Sequence, residues 1–159
     1  MNNTANIKYQ LGLDNLIKDN PHEAKLNFKI AADLGHIEAR FELGCIYHNQ
    51  EKFDLALNEF LVAAHQGDVK SQQNVGSMYY GGKGVEQNFE EAFKWYSKSA
   101  KQGDVNSQYA LAVMYNKGEG VKLNNGASLH WLIKAANQGH KLATKNLNKL
   151  KEDLECRKH

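Results

Sequence analysis

The sequence predicts an all-α protein, an α-solenoid of about four helix–turn–helix repeats followed by a C-terminal capping helix. Three observations predict it. One proline, Pro21, stands in a chain rich in alanine, leucine, lysine, glutamate and glutamine, which favours helix nearly throughout. Glycines recur at a fixed spacing: Gly67, Gly103 and Gly139 are 36 residues apart, and Gly35 precedes Gly67 by 32. Two sequence blocks alternate between those glycines, so each repeat holds two helices, here called A and B.

The A block reads EARFELGCIYHN (38–49), KSQQNVGSMYYGG (70–82) and NSQYALAVMYNKG (106–118), with a weaker first copy in YQLGLDNLI (9–17). Ala39, Leu43, Ile46 and Tyr47 form one stripe of a helix, and Ser71, Val75, Met78, Tyr79 and Ser107, Leu111, Met114, Tyr115 repeat it. Gly44, Gly76 and Ala112 lie within that face and admit a close neighbour. The B block reads FDLALNEFLVAAHQGD (53–68), NFEEAFKWYSKSAKQGD (88–104) and GASLHWLIKAANQGH (126–140). Its inward stripe is Ala56, Phe60, Ala63, Ala64, matched by Ala92, Tyr96, Ser99, Ala100. The glycine after each helix B suits a left-handed C′ position, and Asp68 and Asp104 then suit the N-cap of the next helix A. The repeats are expected at about 5–36, 37–68, 69–104 and 105–140. A cap helix follows at 141–156, with Ala143, Leu147, Leu150 and Leu154 on one face. Two amphipathic helices cannot bury their stripes alone, so stacked repeats share one core. The whole chain, 1–159, is expected to be a single domain.

These blocks resemble the Sel-one-like repeat family, relatives of the tetratricopeptide repeats. VGSMYYGGKGV with EEAFKWYSKSAKQG follows the family pattern closely over 71–103, and LAVMYNKGEGV with LHWLIKAANQG follows it over 107–139. Residues 9–67 fit less well, because KDNPHEA and HNQEKF replace the G-x-G-V connector and shorten the units by four residues. The resemblance implies a right-handed α-solenoid and an adaptor, scaffold or inhibitor surface rather than catalysis. Cysteine-rich relatives resemble β-lactamases in activity and carry a disulfide in each repeat; two separated cysteines, Cys45 and Cys156, argue against that subgroup.

Composition excludes other classes. A hydrophobic fraction of 42% and a charged fraction of 24% are those of a folded domain, and 20 basic against 18 acidic side chains give no reason to expect nucleic acid or a membrane surface. The opening residues lack the basic and apolar regions of a secretory signal, and no segment is apolar enough to span a membrane. The expected location is cytoplasmic, with both thiols reduced, and the expected state a monomer.

The stretch YYGGKGV (79–85) invites a phosphate-binding reading. A phosphate loop, however, needs a lysine followed by Ser or Thr, between a strand and a helix. Here Gly84 follows Lys83, a helix precedes, and the sister loop NKGEGV places Glu119 where Lys83 stands. The glycines are read as turn formers. Seven histidines show no metal-ligand spacing, and His36 and His65 are read as helix B end residues suited to the C-terminal dipole. No catalytic residue, metal or cofactor is expected, so the chain is expected not to be an enzyme. Lys141, Lys145 and Lys149 recur along the cap helix, but Glu152, Asp153 and Glu155 follow, which reads as a solvated face.

Tyr47, Tyr79, Tyr115, Trp95 and Trp131 are expected to pack in the core. In tetratricopeptide-like stacks helix A lines the concave surface, and the other face of helix A carries three ladders: Phe41, Gln73, Tyr109; Cys45, Ser77, Val113; and His48, Tyr80, Asn116. These nine residues are the candidate partner-binding groove, with Phe41 and Tyr109 equally readable as packing between adjacent repeats. The expected function is a non-catalytic protein–protein interaction scaffold or adaptor binding a protein or peptide. The alternative is a cytosolic immunity or inhibitor protein that occludes a toxin.

Overall fold

The computed structural model describes residues 3–156, with side chains as far as Leu150. Among these residues there are nine helices and no strand: α1 (Asn3–Ile17), α2 (Pro21–Asp33), α3 (Ile37–Asn49), α4 (Phe53–His65), α5 (Val69–Gly81), α6 (Phe89–Lys101), α7 (Val105–Lys117), α8 (Asn125–Asn137) and α9 (Lys141–Cys156). Odd-numbered helices are the A helices, even-numbered ones the B helices. The chain divides into two compact units, 1–87 with α1 to α5 and 88–159 with α6 to α9. In each, consecutive helices pack on one another as helical hairpins.

The core follows the stripes. Ala39 and Leu43 of α3, Val75 and Met78 of α5, and Leu111 and Met114 of α7 are buried. So are Ala56, Phe60, Ala63 and Ala64 of α4. In the N-terminal unit Phe28, Ala31 and Ala32 pack with Ala39, flanked by Tyr9, Leu13 and Ile46. The small residue of helix A has a steric purpose: a Cβ on Gly44 would stand 2.6 Å from the Phe60 ring, and one on Gly12 would meet Phe28 in the same way. Tyr47, Tyr79 and Tyr115 are only half-buried. Trp95 is buried, whereas Trp131, in the same register, is half-buried. On α9 Ala143 is buried, Leu147 half-buried and Leu150 exposed, while the Leu154 and Cys156 side chains lie outside the described residues.

The repeat boundary is a run of local hydrogen bonds. Gly35, Gly67, Gly103 and Gly139 all have positive φ, as a C′ residue requires. Asp68 Oδ1 then accepts from the Ser71 N–H, and Asp104 Oδ1 from the Ser107 N–H, both at 2.6 Å. In the other two junctions a histidine does this job: Nδ1 of His36 accepts from the Ala39 N–H at 3.3 Å, and Nδ1 of His140 from the Ala143 N–H at 3.2 Å. His36 therefore caps the start of α3 rather than complementing the end of α2. His65 does sit at a helix end, bonding the Leu61 carbonyl at 2.7 Å. Glutamines tie the junction further. Gln72 Nε2 donates to the Ala64 carbonyl at 3.1 Å and Gln108 Nε2 to the Ala100 carbonyl at 3.3 Å, each occupying an acceptor near the end of a B helix.

The glycine-rich connectors turn helix A into helix B. Gly82 and Gly118 are left-handed C-caps whose N–H groups donate to the Met78 and Met114 carbonyls. Gly84 and Gly120 are also left-handed, and each lies directly against the first residue of an earlier helix B, Phe53 and Phe89 respectively. Lys83 extends over the Phe53 ring, 5.4 Å from its centre. The two short connectors lack glycine and put Asp19 and Glu51 at positive φ instead.

Candidate functional site

The candidate residues fall on three A helices. In the N-terminal unit α3 carries Phe41, Cys45 and His48, and α5 carries Gln73, Ser77 and Tyr80. Ser77 is exposed and the other five are half-buried. Phe41 meets Phe60 at 5.9 Å between ring centres, and Lys70 Nζ lies 5.5 Å over its ring. His48 meets the Phe53 ring edge-on at 5.2 Å. Gln87 Nε2 donates to the Tyr80 carbonyl at 2.8 Å.

Phe41 also lines a pocket of about 370 Å³ with Tyr9, Glu38, Glu42, Asp68 and Lys70. Burial raises the Glu42 carboxyl above its ordinary value, against the opposing pull of Lys70. The Cys45 thiol is pushed up to about 11, chiefly by burial and then by the charge of Glu42. It is a free thiol held neutral, the opposite of an activated nucleophile.

In the C-terminal unit α7 carries Tyr109, Val113 and Asn116. Tyr109 stacks on His140 at 4.4 Å, and its Oη accepts from Asn146 Nδ2 at 3.4 Å, so it is built into the α7–α9 junction. Tyr9 stacks on His36 at 4.3 Å in the same way. Val113 and Asn116 line a groove of about 490 Å³ between α7, α8 and α9, with Ala112, Leu129, Leu132 and Leu150. Of the residues expected from the sequence, Val113 and Asn116 line this groove from α7, and its α8 and α9 sides were not among them. Its signal was available, since Leu132 occupies the register that holds Phe28, Phe60 and Tyr96 in the other B helices. Among the described residues no three His, Cys, Asp or Glu side chains come together as metal ligands. No described helix is long and apolar enough to cross a membrane.

The sequence pattern of the Sel1 repeat matches residues 1–36, 69–104 and 105–140, more than half of the chain. The chain belongs to the Sel1 repeat family. Among solved structures it is similar to a protective antigen of uropathogenic Escherichia coli with an SLR fold, at 30% identity and a TM-score of 0.86, over 92% of this chain and 33% of that one. It is similar to a Sel1 repeat protein of Oxalobacter formigenes at 34% identity and a TM-score of 0.71, over 78% of this chain and 96% of that one. Cysteine-rich protein B of Helicobacter pylori shares the fold at 22% identity and a TM-score of 0.56, over 76% of this chain and 95% of that one. A curated relative, DAP3-binding cell death enhancer 1 of Rattus norvegicus, is 39% identical over 70 residues. Those residues are 43% of this chain and 14% of that protein. Sel1 repeat proteins are α-solenoids that generally mediate protein–protein interactions and are typically non-catalytic.

Proposed function

We propose that this Sel1 repeat protein is a non-catalytic scaffold or adaptor that holds another protein through residues of its A helices. The observation that carries the reading is the α7–α8–α9 groove, apolar at its base and lined by the candidate residues Val113 and Asn116. In the N-terminal unit the exposed Ser77 and the half-buried Phe41, Gln73 and Tyr80 supply further contact positions. Concave sites lined by apolar side chains with a few polar groups are where partners are held. The neutral thiol of Cys45 supports a binding rather than a chemical role.

The test is affinity capture with the tagged chain from its native host, followed by reconstitution from purified components. A purified partner that binds at micromolar strength or better, and loses affinity on changes at Val113 and Asn116, supports the reading. Recovery of no partner that rebinds in purified form sinks it. A partner that is a toxin domain blocked by the chain would replace the adaptor role with that of an inhibitor.

A further inference from the structure

We propose that the groove between α7, α8 and α9 receives an aromatic or large aliphatic side chain from an acidic segment of a partner protein. The proposal rests on the scaffold reading and names the chemistry of its partner.

The groove exists because one position departs from the repeat. The eighth residue of helix B is Phe28 in α2, Phe60 in α4 and Tyr96 in α6, and all three are buried. Phe28 and Phe60 fill the space opposite Gly12 and Gly44. In α8 the same register holds Leu132, which is half-buried, and the A-helix register opposite holds Ala112. Leu132 is smaller than the rings it replaces, and the space beside it is open to solvent. Leu129 is 37% exposed and Leu150 40% exposed at its edges. Asn116 and Asn125 on the lining can hydrogen-bond a peptide backbone.

Charge names the occupant. Residues 120–151 contain six lysines and no acid, in a chain whose net charge is only +2, and the three acids that follow, Glu152, Asp153 and Glu155, stand at the far end of α9. Lys149 lines the groove, and Lys145 and Lys141 precede it by one and two turns of α9. The α7 and α8 segments contain no acid either. Glu119, just beyond α7, has its carboxylate 3.4 Å from the Lys117 ammonium. An apolar slot bordered by more lysines than acids attracts a chain that pairs bulky apolar anchors with Asp or Glu. Its aliphatic lining favours such a peptide over stacked bases.

The experiment is panning of a random phage-displayed peptide library on the immobilised full-length chain. Selected peptides are then measured against two variants. Ala112→Gly with Leu132→Phe restores the glycine–ring pair of the earlier repeats and fills the groove. Lys145→Glu with Lys149→Glu changes exposed side chains only. Enriched peptides should carry an aromatic or large aliphatic residue beside Asp or Glu, and each variant should weaken them about tenfold or more. Peptide-induced NMR shifts should centre on Leu129, Leu132 and Leu150. No enrichment, peptides without acids, or equal binding to the filled variant overturns the proposal. Peptides whose shifts map to Phe41 and Ser77 overturn it while leaving the scaffold reading intact. Two controls supply the remaining contrary outcomes. An oligothymidylate probe that binds the chain and is lost in the lysine variant would make the surface one for nucleic acid. A concentration-dependent dimer abolished by the filled variant would make the occupant a second copy.

Discussion

Gly84 lies with its α-carbon against the backbone of Phe53, the first residue of α4, and any side chain there would collide with the Phe53 carbonyl group. Gly120 stands in the same relation to Phe89. The connector of one repeat is thereby seated on the start of an earlier helix B. Gly84→Ala and Gly120→Ala each meet a left-handed φ and a backbone clash, so each should cost about 2–3 kcal/mol of stability. Lys83→Ala, at the exposed residue beside Gly84, should stay within about 0.5 kcal/mol of the parent. Urea melts of the three variants check this, and equal melts would refute the seating.

The short connector after α3 carries the opposite fault. Glu51 adopts φ 59 with no glycine to relieve it. Glu51→Gly should stabilise the chain by about 0.5–1 kcal/mol, since the left-handed strain removed, about 1–2 kcal/mol, exceeds glycine's added chain entropy of about 0.5–1 kcal/mol. A lower denaturation midpoint for this variant would show that Glu51 has a contact that offsets its strain.

Ser71 and Ser107 are completely buried, and their Oγ atoms have no hydrogen-bond partner among the described residues. The same register holds Ala39 and Ala143. Ser71→Ala and Ser107→Ala should therefore stabilise by about 1 kcal/mol each, because a desolvated hydroxyl is removed without leaving a void larger than one atom. A loss of stability would reveal a bonded hydroxyl.

Glu42 and Cys45 give the pH dependence. Both groups have folded values raised by burial, so both favour their protonated forms in the fold. For Glu42 the contribution is intact below the ordinary carboxylate value near about 4 and is lost as pH rises through the raised one. Glu42→Gln should hence raise the urea midpoint near pH 7 and leave it unchanged well below pH 4. The Cys45 contribution is intact up to ordinary thiol values and is lost near 11. In a Cys156→Ser background, Cys45 should alkylate at pH 8.5 at least about tenfold more slowly folded than unfolded. Adding Glu42→Gln should quicken it, because the charge that opposes the thiolate is gone.

Much of this was legible in the sequence, for definite physical reasons. Glycine spacing marks the C′ positions, since only glycine takes φ near 90–100° freely, as Gly35, Gly67 and Gly103 do. Asp68 and Asp104 announce their caps by residue type. His36 and His140 do not, because imidazole is an uncommon cap and its placement beside Tyr9 and Tyr109 is a tertiary fact. Gln72 was silent too, since its bond crosses a turn to a carbonyl eight residues back. Tyr109 shows how far a helical wheel reaches. It places the ring on the outer face of α7, but only the packed helices reveal that His140 and Asn146 already hold it.

The pairing of Gly44 with Phe60, set beside the registers of Ala112 and Leu132, has a consequence for mutagenesis. A methyl is given to one helix and taken from the ring of the other, so the spacing of a hairpin belongs to a couple of positions. Scanning such a couple one residue at a time would score both members as indispensable, while the exchange of bulk between them goes unseen. Only reciprocal double changes expose it, and they offer a way to retune one repeat without touching its neighbours.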